Sequence, residues 1–595
     1  MTQTTGTSTA RTTEATARGA RRLAPADAAG DAPRNAGAAV SCGETDLTSR
    51  GGEADHTGPR TRWLRDSAAL FAAGCGIIAF ALRLLLVLRV ESVVSPDSVV
   101  YAGLGRSLAA GNFRAGLSTF YPPLYPLLVG LSSLIFRDIE FAGRFVSVVA
   151  GALLVVPVYA LARDSYGAGV ARLAAVIVAL HPLLVYYSSV LLTESTYTLA
   201  FACGVLAGWA ALSRAAAITN DGRAARATWR SHLVAGVVFG ACYLLKPEAA
   251  GFAVLLVAMR LVVNFSGARR SLKRTALDCL ALAAGFLLLA LPYLVYLRAA
   301  LGGWTISGKV RGHLWQGGVR AGAFTNESLV PDYLTAVAQA TKSLMSEYEL
   351  FSLLFPLPFV ALSALGLFRA GWTRGRARRE LYLAAFVAAT LAGYAVTLPN
   401  IRFLVPLLPI LVCWLALGVV EFEGWLAETL ANRRAPPDSA GGGAAGTASA
   451  RGVRPAGVRF VRALVVAALI ASLVPAFVFL LRGDKWGDQH GQKLAAVWIR
   501  ENSAQPAPRI MATAPVAAFY AGGQHVLLVD EDYDSFVARA RRERADFVIA
   551  NERSLRDTPL RSLLDETAAH PGLRLVHALR ETPGHRMFVY VLAQA

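Results

Sequence analysis

The sequence predicts a polytopic α-helical membrane protein that carries a small α/β domain towards its C-terminal end. Three observations lead there. Hydrophobic residues make up 55% of the chain and the mean hydropathy is +0.45, too apolar for a water-soluble protein. The apolar residues come in blocks of about 20, the length that crosses a hydrocarbon core as a helix. Beyond residue 482 the pattern changes to short strand-like runs alternating with amphipathic helices.

The blocks are exemplified by LFAAGCGIIAFALRLLLVLRV (70–90), ALDCLALAAGFLLLALPYLVYL (276–297) and VRALVVAALIASLVPAFVFLL (461–481). Taken in order, about 11 spans are expected, near 67–90, 141–163, 168–187, 193–213, 232–246, 248–264, 275–298, 348–369, 381–398, 402–420 and 460–481. Residues 1–62 are rich in Thr, Ala, Gly and Arg and are expected to be a disordered cytoplasmic tail. No signal-peptide pattern precedes the first block, which is expected to serve as an uncleaved anchor.

A net charge of +19 suggests nucleic acid until its placement is considered. Arginines crowd the connections 214–230, 267–274 and 369–380, between apolar blocks, which is an orientation signal rather than a binding surface. Nucleic acid is therefore excluded as a partner. The segment 122–136, PPLYPLLVGLSSLIF, is too short and proline-rich to span, and placing it at the outer interface puts every Arg-rich connection in the cytoplasm. The regions 91–140, 299–347 and 482–595 then face outward, within or beyond a membrane domain of 63–481.

In the tail, PRIMATA, HVLLVD, ADFVIA and RMFVYVL read as strands, and DQHGQKLAAVWIREN and YDSFVARARRER as helices. Of the six cysteines, five fall in apolar blocks and Cys42 in the N-terminal tail. None has metal-ligand spacing, and the apolar five read as small buried hydrophobes.

Asp97 follows the first span in the stretch VSPDSVVYAGLGRSLAAGNF (94–113). A carboxylate so near the membrane needs a reason. Ser95 can cap a helix, Pro96 suits its first position, and Asp97 would then favour the positive helix end. The chemical alternative is a general base at the membrane surface. The local pattern leaves both open.

Asp97, Tyr101, Pro122-Pro123-Leu124 and Arg144 stand in an order that resembles the first outer loop of the polyprenyl-phosphate-sugar-dependent glycosyltransferases. This is the GT-C group, glycosyltransferase family 39, which contains protein O-mannosyltransferases and the aminoarabinose transferases of lipid A. The blocks YLLKPEA (243–249) and IRFLVPLLPIL (401–411) are similar to further family motifs, so the resemblance covers about 67–420. Two positions depart from the family pattern. Tyr121 stands where many members have a phosphate-binding lysine, and Ser98 follows Asp97 where several have glutamate.

The resemblance implies transfer of a sugar from a polyprenyl-phosphate donor to an acceptor hydroxyl on a lipid, glycan or protein. Such an enzyme deprotonates the acceptor, aligns it behind the anomeric carbon and stabilises the departing phosphate. Asp97 would be the base, and Glu194, in VLLTESTY, a second acidic group directed at acceptor or sugar. Lys246, Arg402, Arg311 and Tyr101 would bind the donor and its phosphate, with Lys309, His313 and Arg320 in the same outer loop as Arg311. Lys246 and Arg402 have a structural alternative as anchors at span ends. His181-Pro182 reads as a helix end. A divalent metal ion is left open as a cofactor, with no residues assigned to it.

The triplet Asp530-Glu531-Asp532 looks like a nucleotide-sugar metal motif but reads as an acidic turn after a strand. A transporter or flippase is the alternative class. It calls for pseudo-symmetric repeats, which the sequence does not display. The candidate base and cations precede residue 420, so the tail is expected to be dispensable for the chemical step. The resemblance implies a bacterial plasma membrane, with the N-terminus cytoplasmic and the tail outside. A reporter active only in the cytoplasm, fused at residue 595, should therefore remain silent, and strong activity would mean that 122–136 crosses.

Overall fold

The computed structural model describes residues 67–90, 93–217, 222–265, 272–309, 355–369, 371–395, 401–434, 487–580 and 586–593, with single positions between 467 and 478. Arg311 and nearly all of the expected last span, 460–481, lie outside the described residues.

The first apolar block forms α1 (Ser67–Arg89). Three short helices of the first outer region follow as α2 (Pro96–Ala109), α3 (Phe113–Gly116) and α4 (Leu124–Ser133), and then α5 (Ile139–Leu153) and α6 (Val155–Tyr166). Next come α7 (Ala168–Leu180), α8 (Pro182–Ser189), α9 (Glu194–Ala217), α10 (Gly222–Tyr243), α11 (Ala249–Phe265) and α12 (Leu272–Leu301). The membrane part closes with α13 (Leu357–Arg369), α14 (Arg374–Ala395), α15 (Ile401–Leu404) and, after one 3-10 turn, α16 (Leu408–Arg434).

Five of these stretches are long and apolar enough to cross a membrane: Ala69–Arg89, Ile139–Tyr166, Glu194–Ala215, Leu272–Leu301 and Arg402–Thr429. A sixth is the pair α7 and α8, bent by 48°. The break falls at His181, whose extended backbone ends α7, with Pro182 opening α8. Arg83 secures it. This fully buried guanidinium donates to the carbonyls of Val178 and Ala179 at 3.1 and 2.8 Å, satisfying the open end of α7.

The Arg-rich connection 214–230 is more helical than expected. The helix α9 continues to Ala217 and α10 begins at Gly222, because alanine and arginine are strong helix formers wherever no turn residue stops them. The segment 122–136 yields only the ten-residue α4, about half the length of a span.

In α2, Ser95 is the N-cap, its hydroxyl accepting from the Ser98 amide while the Ser98 side chain accepts from the Ser95 amide. The serine that departs from the family pattern thus completes a capping box. Helices α2 and α4 then meet glycine to glycine. A Cβ on Gly130 would lie 2.6 Å from the Gly105 carbonyl oxygen, closer than packed atoms tolerate.

The C-terminal part starts with α17 (Gly487–Asn502) and holds β1 (Arg509–Ala512), α18 (Val516–Ala521), β2 (Gln524–Leu527), α19 (Tyr533–Arg542) and β3 (Phe547–Asn551). After α20 (Glu552–Leu555) come β4 (Leu573–Leu579) and β5 (Met587–Leu592). The sheet order is β2-β1-β3-β5-β4, parallel over the first three and antiparallel over the rest. The four expected strands are present. Strand β4, LRLVHAL, is the one sequence reading missed: it is a half-exposed edge with Arg and His in it. Asp532 caps α19 and Glu531 pairs with Arg539 at 2.6 Å, so the acidic triplet is structural.

Gly130→Ala should push α2 and α4 apart and cost about 1–3 kcal/mol, read as a lower melting temperature of the purified protein. Gly74→Ala in α1, where a Cβ would meet nothing within 4 Å, should be neutral or slightly stabilising.

Candidate functional site

A cavity of about 640 Å³ opens where the first outer region, the ends of α9, α10 and α14, and α15 converge. Of the residues singled out in the sequence, Asp97, Tyr101, Glu194, Lys246, Lys309 and Arg402 all line it. They come from five separate parts of the chain.

Asp97 sits in the first turn of α2 and is engaged on both oxygens. Arg402 donates to Oδ2 at 2.6 Å and the Tyr121 hydroxyl donates to Oδ1 at 2.8 Å. Burial raises the carboxyl, but the Arg402 charge and hydrogen bond, the Tyr121 hydroxyl and the Lys309 charge outweigh it. Asp97 therefore lies below its ordinary range. It is ionised at neutral pH. The helix-dipole explanation is insufficient, since the dominant partner lies on α15.

Glu194 begins α9 and is 2% exposed; Lys246, just beyond α10, is 7% exposed. Lys246 Nζ donates to Glu194 Oε1 at 3.2 Å, and Arg402 Nε lies 4.0 Å from the same oxygen. The other Glu194 oxygen, Oε2, is buried without a hydrogen-bond partner. Two rings hold the ammonium group, with centroids 5.4 Å (Tyr197) and 5.0 Å (Phe403) from Nζ. Arg402 thus joins both carboxylates.

Tyr101 is buried against Tyr121 and Tyr125, edge-on, with centroids 5.0 and 5.1 Å apart. Burial, with the Glu194 and Asp97 charges, raises its hydroxyl well above the ordinary range, so it remains a hydrogen-bond donor.

Lys309 arrives from the second outer region. Its Nζ lies 4.6 Å from the Phe120 centroid and 5.2 Å from that of Tyr121. The loop is tied to the first outer region by the Gly308 amide on the Thr119 carbonyl at 3.0 Å, and to α10 by the Tyr243 hydroxyl on the Ile306 carbonyl at 2.8 Å. Among the described residues, Lys309 has no carboxylate at ion-pair distance. Burial lowers it, most strongly.

Sequence reading missed Tyr121 as a partner of Asp97, having noted it only as a departure. Glu248 also lines the cavity, and its signal was available in the quoted YLLKPEA block. No group of three His, Cys, Asp or Glu able to hold a metal ion occurs among the described residues. Asp97 is held by Arg402, and Glu194 by Lys246 through one of its two oxygens.

Residues 121–296 match the family model of dolichyl-phosphate-mannose-protein mannosyltransferases. The structure aligns with ArnT of Cupriavidus metallidurans bound to undecaprenyl phosphate, with a TM-score of 0.53 at 15% identity over 89% of this chain and 98% of that one. The chain has the GT-C glycosyltransferase fold. A second structure with this fold is the oligosaccharyltransferase AglB of Archaeoglobus fulgidus, in complex with an inhibitory peptide and a dolichol-phosphate. Its TM-score is 0.53 at 13% identity, over 82% of this chain and 70% of that one. No curated protein sequence matches significantly.

Lys246→Met would leave Glu194 buried with only Arg402, 4.0 Å from Oε1, as its cation and should cost up to about 3–5 kcal/mol of stability. Lys246→Met combined with Glu194→Gln should recover most of that loss. Melting of the purified variants tests the pair, and equal destabilisation by single and double changes would show that the two side chains do not depend on each other.

Proposed function

We propose that the protein is an integral membrane glycosyltransferase. It moves a sugar from a polyprenyl-phosphate-linked donor to an acceptor hydroxyl on the extracytoplasmic face. The observation that carries this reading is the cavity itself: one ionised carboxylate, Asp97, shares it with one lysine, Lys309, that has no described carboxylate at ion-pair distance. The fold, the family match and the resemblance of the outer loops support it.

The acceptor oxygen attacks the anomeric carbon as the bond from that carbon to the phosphate oxygen breaks. The electron pair of that bond leaves on the polyprenyl phosphate, and the hydroxyl proton passes to Asp97. A carboxylate has about four lone-pair sites, so the two held by Arg402 and Tyr121 leave room for the acceptor. Arg402 lowers the basicity of Asp97, which suits a proton transfer concerted with attack rather than one that precedes it. Lys309 and Arg402 receive the departing phosphate, and Lys246 holds Glu194 beside the sugar. Arg311 follows Lys309 by two residues and is assigned to the donor with it. The membrane is the bacterial plasma membrane, with the C-terminal domain outside.

Membranes containing the protein, incubated with a panel of labelled polyprenyl-phosphate sugars, should yield a glycosylated product from at least one donor. Asp97→Asn keeps the size and the helix start but cannot take a proton. It should lower turnover about 10²–10⁴-fold while donor binding is retained. A purely helix-stabilising Asp97 would cost only about 0.3–1 kcal/mol of stability. Near-normal transfer by a well-expressed variant would remove Asp97 as base and make Glu194 the first candidate.

A further inference from the structure

The C-terminal domain touches the helix that carries Asp97. Its helix α18 carries Phe519 and Tyr520 in its last turn. The Tyr520 hydroxyl accepts the Val94 amide at 3.0 Å, one residue before the N-cap of α2. The Glu140 carboxylate, in the first turn of α5 and paired with Arg144, acts on the same hydroxyl. At the other end of α2, the Arg106 guanidinium lies 5.3 Å from the Phe519 ring centroid, and Phe519 packs against the apolar core of the membrane part. Lys493 of α17 covers the Tyr520 ring at 5.1 Å. Both ends of α2 are therefore gripped by two adjacent aromatic residues from a domain more than 400 positions away in the chain, Tyr520 standing 426 residues after Val94.

We propose that Phe519 and Tyr520 are positioning residues. Through them the C-terminal domain holds α2 so that Asp97 stays on Arg402 and Tyr121. The tail thereby becomes a working part of the transfer site, against the expectation that it is dispensable for the chemical step. The inference rests on the assignment of Asp97 as base only for its kinetic consequence. The grip itself is a property of the fold.

The physical case is one of leverage. Asp97 lies three residues from Val94, so a small rotation of the N-terminal turn of α2 moves its carboxylate by a comparable distance. A hydrogen bond to Arg402 at 2.6 Å tolerates little of that before it weakens. The capping box fixes the turn to itself but not to the rest of the molecule; Tyr520 supplies that external reference. Misplacement of a reacting group by about 1 Å costs on the order of 10²-fold in rate.

Two measurements on the full-length protein test this. The first is amide hydrogen exchange over Pro96–Ala109, which does not depend on any transfer activity. Tyr520→Phe and Phe519→Ala should each speed exchange there by about fivefold or more, while Tyr590→Phe should not. That control removes a buried hydrogen bond, 2.7 Å to the Leu563 carbonyl, elsewhere in the same domain. Unchanged exchange in α2, or an equal rise with Tyr590→Phe, overturns the grip.

The second is kinetic. Tyr520→Phe and Phe519→Ala should lower kcat about five- to tenfold with donor KM held within twofold, and Phe519→Tyr should restore the rate. They should also move the acid limb of the pH-rate profile upward. The groups that face Asp97 are Arg402 on α15, Tyr121 and Tyr101 in the first outer region and Lys309 in the second, with Glu194 sharing Arg402. Arg402, Tyr121 and Lys309 outweigh burial and hold Asp97 below its ordinary value, so proton acceptance is lost only below the usual carboxylate range. Once α2 slackens and Arg402 is released, Asp97 returns towards its ordinary value and the limb follows it up. Faster exchange with an unmoved profile and unchanged kcat would overturn the positioning role. A wild-type protein that transfers no sugar would instead overturn the function proposed above, leaving the exchange result to decide the grip.

Discussion

The ion pair between Asp97 and Arg402 is the constraint on which the site depends. It joins the first helix after the first span to the helix that leads into the last described span, 305 residues apart in sequence. Arg402 also approaches Glu194, and Glu194 in turn holds Lys246. Four side chains from four separate parts of the chain are thus connected by charge, in surroundings where an unpartnered charge would be costly. Around them, Tyr101, Tyr121, Tyr197 and Phe403 supply rings that restrict the geometry without adding charge. The helical bundle brings the elements together; the charges decide which arrangement of their ends is stable.

Much of the fold was legible because membranes impose strong rules on sequence. Apolar blocks of span length, the Arg placement and the alternating tail follow from hydration alone. What local patterns could not convey was pairing. The cap at Ser95 and the proline after it could be read directly, and α2 begins there. That Asp97 would meet Arg402 could not, because nothing local in either stretch specifies the other. The resemblance, not the periodicity, singled out both. Strand β4 escaped notice for a different reason: at a sheet edge, charged residues are tolerated and the alternation fades.

The tail illustrates the same limit at larger scale. Its strands could be found in the sequence, since buried strands read as short apolar runs. Its contact with α2 could not, because Phe519 and Tyr520 look like ordinary members of a short amphipathic helix. Only their placement, against Arg106 and the Val94 amide, distinguishes them. A residue whose role is to hold another in place carries no chemical signature of its own.

The cavity lining has a consequence for how the donor is captured. Lys246, Lys309 and Arg402 are matched in number by Asp97, Glu194 and Glu248, so the described lining is close to electroneutral. A neutral vestibule projects little field into solution. The chain's large positive charge is then no guide to the field at this cavity, and a lipid-linked donor of the proposed kind would reach it by two-dimensional diffusion within the leaflet. Ionic strength should matter little to encounter. Discharge is another matter: a phosphodiester bears one negative charge and the phosphate it leaves behind nearly two. In the proposed transfer the spent lipid carrier would consequently bind the lysine and arginine more tightly than the loaded one.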